Sequence, residues 1–296
     1  MVPIFLLTYN EQDSFVEIYN DQFVRTHFGP NNIHFYVLDN GKQPKIESWC
    51  QRHGYTYYAS EYNIGSSGGY NWIFKTAFRL RLQAAVLMQA DVEITSAWPL
   101  LFTYQLTRAF GTTHFITWPQ TFHHSDYSAE ISYHDLKSNL PNLGNLVGFD
   151  PIMMYHKNCY FDENYVVTHC DDLEFLYHMR TKNMNAVNAI SLLPGAVETA
   201  QRFVLPGTET RTHSHVITFN NEEIRIHHVS QFYESHDPWL AVNKPYYDLM
   251  WEQSQCQTRA PYDPARWQQF GYPAYPVQHE LDRFFKQYPK LTHGAE

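Results

Sequence analysis

Residues 55–95 read YTYYASEYNIGSSGGYNWIFKTAFRLRLQAAVLMQADVEIT, and their grammar decides the fold. Tyr55–Ala59 is a short β-prone run, Asn63–Gly69 a glycine-rich turn, Tyr70–Leu82 an amphipathic segment, and Ala84–Met88 an apolar run that stops at Gln89, Ala90 and Asp91. Gly65, Gly68 and Gly69 offer positive φ angles and close backbone approach to a ligand, and Ser66 or Ser67 can cap the helix behind them. Ile73, Ala77 and Leu80 recur with helical spacing, whereas Lys75 and Arg79 share another face. The Ala-Ala-Val-Leu-Met run is short and unbroken, as in a strand buried on both faces. Together these pieces predict a strand, turn, helix and strand. In open α/β sheets ligands bind beyond the carboxyl ends of the strands. Asp91 stands at such an end and is the first candidate for function.

The pattern extends on both sides. Val2–Thr8 predicts a buried strand with Tyr9-Asn10-Glu11 at its polar end, and Asp13–Phe28 keeps a helical rhythm that Gly29-Pro30 closes. Ile33–Leu38 predicts a second strand, ending in Asp39-Asn40-Gly41. Three strands ending in polar residues on one edge describe an α/β layer. Downstream, Trp98–Phe110 predicts a helix and His114–Trp118 a strand stopped by Pro119. Thr121–Asn145 is poor in aliphatic residues and predicts an irregular insertion, the kind of loop that serves as a lid or acceptor site. Pro151–Tyr155 predicts a strand, and Phe161-Asp162-Glu163 follows it. Asp171-Asp172 opens a helix carrying Leu173, Leu176, Tyr177 and Arg180. Val187–Ser191 and Val216–Phe219 predict further strands, with His213 and His215 before the second and His227-His228 within Glu223–Val229. The expected organisation is one domain over 1–234, with residues 1–95 as its first half and 96–234 as its second. Residues 235–296, rich in Pro, Trp, Tyr and Gln, form a C-terminal helical and irregular extension packed on it.

Composition narrows the function. With 30 Asp plus Glu against 21 Lys plus Arg, the chain carries a formal charge of −9, the wrong sign for a protein that lives on phosphate backbones. Extended nucleic-acid binding is therefore disfavoured. Aromatic residues make up 17% of the chain, enough to line clefts as well as fill a core, and Trp118 and Trp239 offer stacking surfaces. Cys50, Cys159, Cys170 and Cys256 form no CxxC pair, so reduced thiols in a cytoplasmic protein are expected. No apolar stretch reaches the roughly 20 residues of a transmembrane helix, and the N-terminus reads as a strand rather than a signal peptide.

The order of motifs carries a resemblance. LLTYNE at 6–11, VLDNG at 37–41, NIGSSGGYN at 63–71, VLMQAD at 86–91, and FDE followed by DDLEF at 161–175 resemble the GT-A fold glycosyltransferases. The likeness is greatest to the large inverting family 2 with its rhamnosyltransferase-like members, and it covers residues 2–230. It implies an α/β, Rossmann-like, mixed and mostly parallel sheet flanked by helices. The implied activity is transfer of a sugar from a nucleotide diphosphate sugar to an acceptor hydroxyl, inverting and assisted by Mn²⁺ or Mg²⁺. Residues 1–95 become the donor half and 96–234 the acceptor half.

By the same resemblance the donor site draws on Thr8, Tyr9, Glu11 and Asp39, on Asn63, Gly65, Gly68, Gly69 and Asn71, and on Gln89 and Ala90. Asp172 becomes the general base with Asp171 as its substitute, and Asp91 and His228 become metal ligands, with His227, His213 and His215 as competitors. The chain departs from the family's Asp-x-Asp motif, because Gln89 stands at its first position and supplies only a neutral oxygen.

These residues also have ordinary explanations. Asp-Asn-Gly favours turns, and acids in a first helical turn are stabilised by the macrodipole. Two other functions stay open. One is a glycosyltransferase acting on DNA bases or protein, for which a basic strip of Lys75, Arg79, Arg81, Arg180 and Lys182 would speak. The other is a nucleotide-sugar-binding protein that has lost catalysis, suggested by Gln89.

Overall fold

Ile4-Phe5-Leu6 is apolar on both sides, and all three side chains are fully buried at the centre of the sheet in Val2–Thr8 (β1). β1 pairs in parallel with Ile33–Asp39 (β2) on one flank and Ala85–Gln89 (β4) on the other. The structure, a computed structural model, describes residues 1–9, 12–60, 62–90, 92–112, 114–118, 146–167, 170–192, 197–204, 211–219, 222–228, 237–254, 258–271 and 285–287. Thr56–Ser60 (β3) continues the parallel ladder beyond β2. On the other flank come Leu146–Phe149 (β7), antiparallel to its neighbours, then His114–Thr117 (β6) and Asn185–Asn188 (β8). Phe285–Gln287 (β12) closes the far edge antiparallel to β3, giving the order β12-β3-β2-β1-β4-β7-β6-β8. The fold is α/β with a mixed, mostly parallel sheet flanked by helices.

Period-two alternation divides the core between the two faces. Ile4, Leu6 and Val37 face one side, beneath Gln12–Ile18 (α1), Asp21–Phe23 (α2, running into a π-helical turn at Val24–Phe28), Pro44–His53 (α3) and Trp98–Phe110 (α5). Phe5 and Leu38 face the other side, beneath Gly65–Arg79 (α4), Pro151–Lys157 (α6) and Asp171–Thr181 (α7). Val92–Ile94 (β5), Val197–Val204 (β9), Arg211–Phe219 (β10) and Glu222–His228 (β11) form a second, antiparallel sheet in the order β5-β11-β10-β9. Tyr19, fully buried, ties the first core to this sheet. Its hydroxyl donates to Val92 O at 2.7 Å and accepts from Ile94 N at 3.1 Å.

Four local expectations are corrected. The helix after the glycine-rich turn begins at Gly65 rather than Tyr70, so Gly68 and Gly69 lie inside it. Of the three glycines only Gly65 has a positive φ, 71°, and a Cβ there would lie 2.6 Å from Val167 O. Gly69 allows close packing instead, since a Cβ would lie 2.7 Å from the Leu7 side chain of β1. Ser66 and Ser67 do not cap α4, whose N-cap residue Ile64 makes no side-chain bond. Finally, Pro151–Tyr155 is helical and the strand is Leu146–Phe149. Asp150 accepts from Ile152 N and Met153 N, and Pro151 sits in the first turn, where its missing N–H costs nothing.

The tail enters the main core. In Asp237–Ser254 (α8) Asn243 is fully buried, and in Pro264–Gln268 (α9) Trp267 is fully buried in the cluster that holds Phe5, Tyr70 and Phe161. The expected insertion at Thr121–Asn145 lies outside the described residues. No helix among the described residues is long and apolar enough to cross a membrane.

Candidate functional site

The carboxyl ends of β1, β2 and β4 converge, and the turns that follow them are built by side chains. Asp39 ends β2 fully buried. One carboxylate oxygen accepts from Gly41 N at 2.8 Å and Gln43 Nε2 at 3.1 Å, the other from Gln43 N and Tyr57 Oη, both at 2.5 Å. Gln43 Nε2 also donates to Thr8 Oγ1 at 2.8 Å, and Thr8 is 1% exposed. Asp39 and Thr8, expected to touch the nucleoside, therefore lie beneath the edge and brace it. Tyr9, the next residue along, is exposed.

Asn40 joins this turn to the glycine-rich one. Its amide donates to Asn63 Oδ1 at 2.9 Å and to Gly65 O at 3.3 Å, and its own oxygen accepts from Ile64 N at 3.0 Å. Asn63 Oδ1 also accepts from Gly65 N at 2.9 Å, so Asn63 shapes the turn while remaining half-buried.

The glycine-rich turn is clasped to the helix that starts with the two aspartates. Ser66 Oγ and Ser67 Oγ both donate to Asp171 Oδ2, the second at 3.1 Å, and Ser66 N donates to Val167 O at 2.6 Å. Burial pushes the Asp171 carboxyl upward, while the two serine hydroxyls pull it down. At 4% exposure Asp171 cannot reach an acceptor, which corrects its place as substitute base. Asp172, half-buried, accepts from Leu173 N at 2.8 Å in the first turn of α7. Cys170, just before, has a φ of 63° that turns the chain into the helix.

Asn71 is also reassigned. It is fully buried, donates to Phe161 O at 3.0 Å and Glu163 Oε1 at 2.8 Å, and accepts from Phe161 N at 2.7 Å, so it staples α4 to the 161–163 loop rather than touching a donor.

At the end of β4, Gln89 Nε2 donates to Tyr70 Oη at 3.0 Å, and Ala90 is buried. Glu11 and Asp91 lie outside the described residues, as do the side chains of His213, His215, His227 and His228. The backbone register nevertheless pairs His228 with Val92, the residue after Asp91, and His213 with His228. Among the described residues no group of three His, Cys, Asp or Glu gathers to hold a metal.

The basic strip falls elsewhere. Arg79 and Arg180 occupy the last turns of α4 and α7, whose first turns meet at Ser66 and Asp171. At about 1.5 Å per residue, Arg79 lies roughly 20 Å along α4 from the clasp, where it complements the helix dipole. Trp118 is fully buried with its indole N–H on Thr103 Oγ1, so it is core rather than a stacking surface.

The loop over residues 160–167 rests on residues that the sequence did not mark. Asn243 holds Val166 by both backbone groups, at 2.9 and 2.8 Å. Tyr246 Oη donates to Asp162 Oδ2 at 2.7 Å, and Trp267 Nε1 donates to Glu163 O at 2.9 Å. Arg259 forms a two-pronged pair with Glu174 at 2.8 and 2.6 Å and donates to Tyr160 O. Burial pushes the Glu174 carboxyl up to about 7 against the pull of Arg259. Polar residues isolated in an aromatic tail were the available signal, but nothing local names their partners.

No protein-family model matches the chain and no curated protein matches it. Solved structures do. The chain is similar to a mannosyltransferase of Pyrobaculum calidifontis solved with GDP-Man and Mn²⁺, at 16% identity and a TM-score of 0.46, over 63% of this chain and 54% of that one. It is similar to S. aureus TarS solved with UDP, at 12% identity and a TM-score of 0.45, over 63% of this chain and 58% of that one. A Drosophila galactosyltransferase solved with manganese, UDP-Gal and xylobiose is similar at 7% identity and a TM-score of 0.43, over 79% and 74% of the two chains. The chain thus spans less than two thirds of the length of the first two.

Proposed function

We propose that the protein transfers a sugar from a nucleotide diphosphate sugar to an acceptor hydroxyl, with inversion at the anomeric carbon. The observation that carries this reading is Asp172, half-buried in the first turn of α7 while its neighbour Asp171 is clasped to the glycine-rich turn at the carboxyl edge of the sheet. The Asp172 carboxylate takes the acceptor's hydroxyl proton as that oxygen bonds to the anomeric carbon. The bond from that carbon to the diphosphate oxygen breaks, and its electron pair leaves with the diphosphate. Tyr9 and the turn shaped by Asn40 and Asn63 form the donor's seat, braced from below by Asp39 and Gln43. Asp91 and His228, with the Gln89 amide oxygen, would hold a divalent cation, Mn²⁺ or Mg²⁺, which when bound supplies positive charge beside the leaving diphosphate. The acceptor is a carbohydrate or a macromolecule, and the position of the basic residues at the far helix ends favours the former. Buried free thiols at Cys50, Cys159 and Cys170 support a reducing, cytoplasmic setting.

The test is incubation with UDP-, GDP- and dTDP-sugars plus Mn²⁺, following nucleoside diphosphate release and thermal stabilisation. Neither binding nor turnover across the panel overturns this reading. Binding without turnover supports a catalytically silent sugar-nucleotide binder, which the neutral Gln89 favours. Asp172→Asn should keep donor binding and lose at least about 100-fold in kcat, the usual scale for a general base. Undiminished transfer removes Asp172 from that role.

A further inference from the structure

Two hydroxyls on one carboxylate oxygen are more than a helix start requires. Ser66 and Ser67 open α4, and both donate to Asp171 Oδ2 across 105 and 104 positions of sequence. Ser66 adds its backbone N–H to Val167 O at 2.6 Å, so the residues leading into α7 are held at Val167 as well as at Asp171. Gly65 lets this approach happen, since any Cβ would meet Val167 O and Trp267. Both Ser67 and Asp171 are nearly sealed from solvent, at 1% and 4% exposure. The next residue, Asp172, remains half-open.

We infer that Ser66, Ser67 and Asp171 form a clasp that positions the base, fixing the first turn of α7 to the glycine-rich turn so that Asp172 and the donor's seat keep one geometry. Asp171 is a positioning residue in this arrangement and never touches substrate. The clasp locks the Asp171 side chain, Asp171 fixes the backbone of the first turn, and Asp172 leaves that turn in a set direction. A displacement of about 1 Å in such a group lowers a rate by roughly 100-fold without weakening binding. The clasp thus bears on the direction of the base. This inference rests on the transfer reading above.

The experiment compares wild type, the double variant Ser66→Ala with Ser67→Ala, the single variant Ser66→Thr, and Asp171→Ala, measuring kcat and donor KM on the nucleotide sugar the wild type turns over. The double variant should lose roughly 10- to 100-fold in kcat while donor KM changes less than about threefold. Ser66→Thr keeps a hydroxyl and should recover most of the rate. Asp171→Ala removes the shared acceptor and should lose a similar factor in kcat, again with donor KM nearly unchanged. Wild type that turns over no donor overturns the transfer reading and the clasp with it. Wild type that is active, beside a double variant or an Asp171→Ala variant with wild-type kcat, overturns the clasp alone. Should either variant fail to melt cooperatively, Ser66→Ala and Ser67→Ala singly decide by the same criterion, and wild-type kcat in both overturns the clasp.

Discussion

The proposed donor side and the proposed acceptor side of the molecule are held by opposite means. On the donor side Asp39 collects all its donors from Gly41, Gln43 and Tyr57, none more than 18 positions away. On the acceptor side the loop leading into α7 is bonded to Asn71, Asn243, Tyr246, Arg266 and Trp267, at separations of 77 to 104 positions. β2, its turn, α3 and β3 can close the first set by themselves. The second set exists only once the tail has docked, and contacts between distant segments form late because their loops must be closed first. The proposed donor edge is therefore a local structure, whereas Asp172 stands on a scaffold assembled from three parts of the chain.

The largest effect that would expose this contrast is loss of Arg259. Its partner Glu174 has a side chain only 1% exposed, and removing one member of a buried pair leaves an uncompensated charge. Arg259→Leu should lower unfolding stability by about 3–5 kcal/mol. Adding Glu174→Leu should restore most of that, because apolar replacements of a whole buried pair are often neutral or better. Chemical denaturation measures both, and a single variant within about 1 kcal/mol of wild type would show that the tail does not brace α7.

The same pair predicts a pH dependence. The Glu174 carboxyl is raised to about 7, above its ordinary range, so the folded state binds a proton that the unfolded state has released. This stabilisation is full below the ordinary carboxylate range and is lost as pH rises through about 7. Glu174→Gln should therefore flatten the wild-type decline in stability over that window. An unchanged slope would place the titration elsewhere.

Loss of Asn243 should come next. The residue is fully buried and satisfies both backbone groups of Val166, which no water replaces in a sealed site. Asn243→Ala leaves one buried donor and one buried acceptor without partners, at a cost of about 2–3 kcal/mol. Because Val166 lies in the loop clasped by Ser66, kcat should fall more than donor affinity does. Equal losses in both would mean that the donor seat, too, depends on the tail.

This contrast also explains what was legible in the sequence. Val2–Thr8, Ile33–Asp39 and Ala85–Gln89 announce themselves because strands buried on both faces read as unbroken apolar runs. The motif Asp39-Asn40-Gly41 was also visible, but its direction was not. A carboxylate at a strand end reads the same whether it faces a ligand or its own turn, and only the positions of Gln43 and Tyr57 decide. Asn71 and Asp171 were singled out and then reassigned for the same reason, since their partners lie at Phe161, Glu163, Ser66 and Ser67. Arg259 and Asn243 gave no local sign at all. Their value comes from Glu174 and Val166, residues that no periodicity connects to them. At Pro151–Tyr155 the local signal does exist, because Asp150-Pro151 is a helix start.

The smallest effect belongs on the donor side, where local bonding is redundant. Tyr57 Oη donates to Asp39 Oδ2 at 2.5 Å, and burial together with the adjoining carboxylate pushes the hydroxyl well above its usual range, so it remains a donor at every pH of interest. Tyr57→Phe removes that bond alone. Asp39 keeps Gly41 N, Gln43 N and Gln43 Nε2, which still occupy both carboxylate oxygens. The cost should be about 1 kcal/mol in stability, the net worth of one intramolecular hydrogen bond, and donor KM should stay within about twofold. A loss comparable to that of Arg259→Leu would mean that the β2 turn is as finely balanced as the acceptor-side loop. In that case the difference between the flanks would be one of sequence distance only, and the three remaining donors on Asp39 would not be enough to hold the edge on which the nucleotide sugar is proposed to sit.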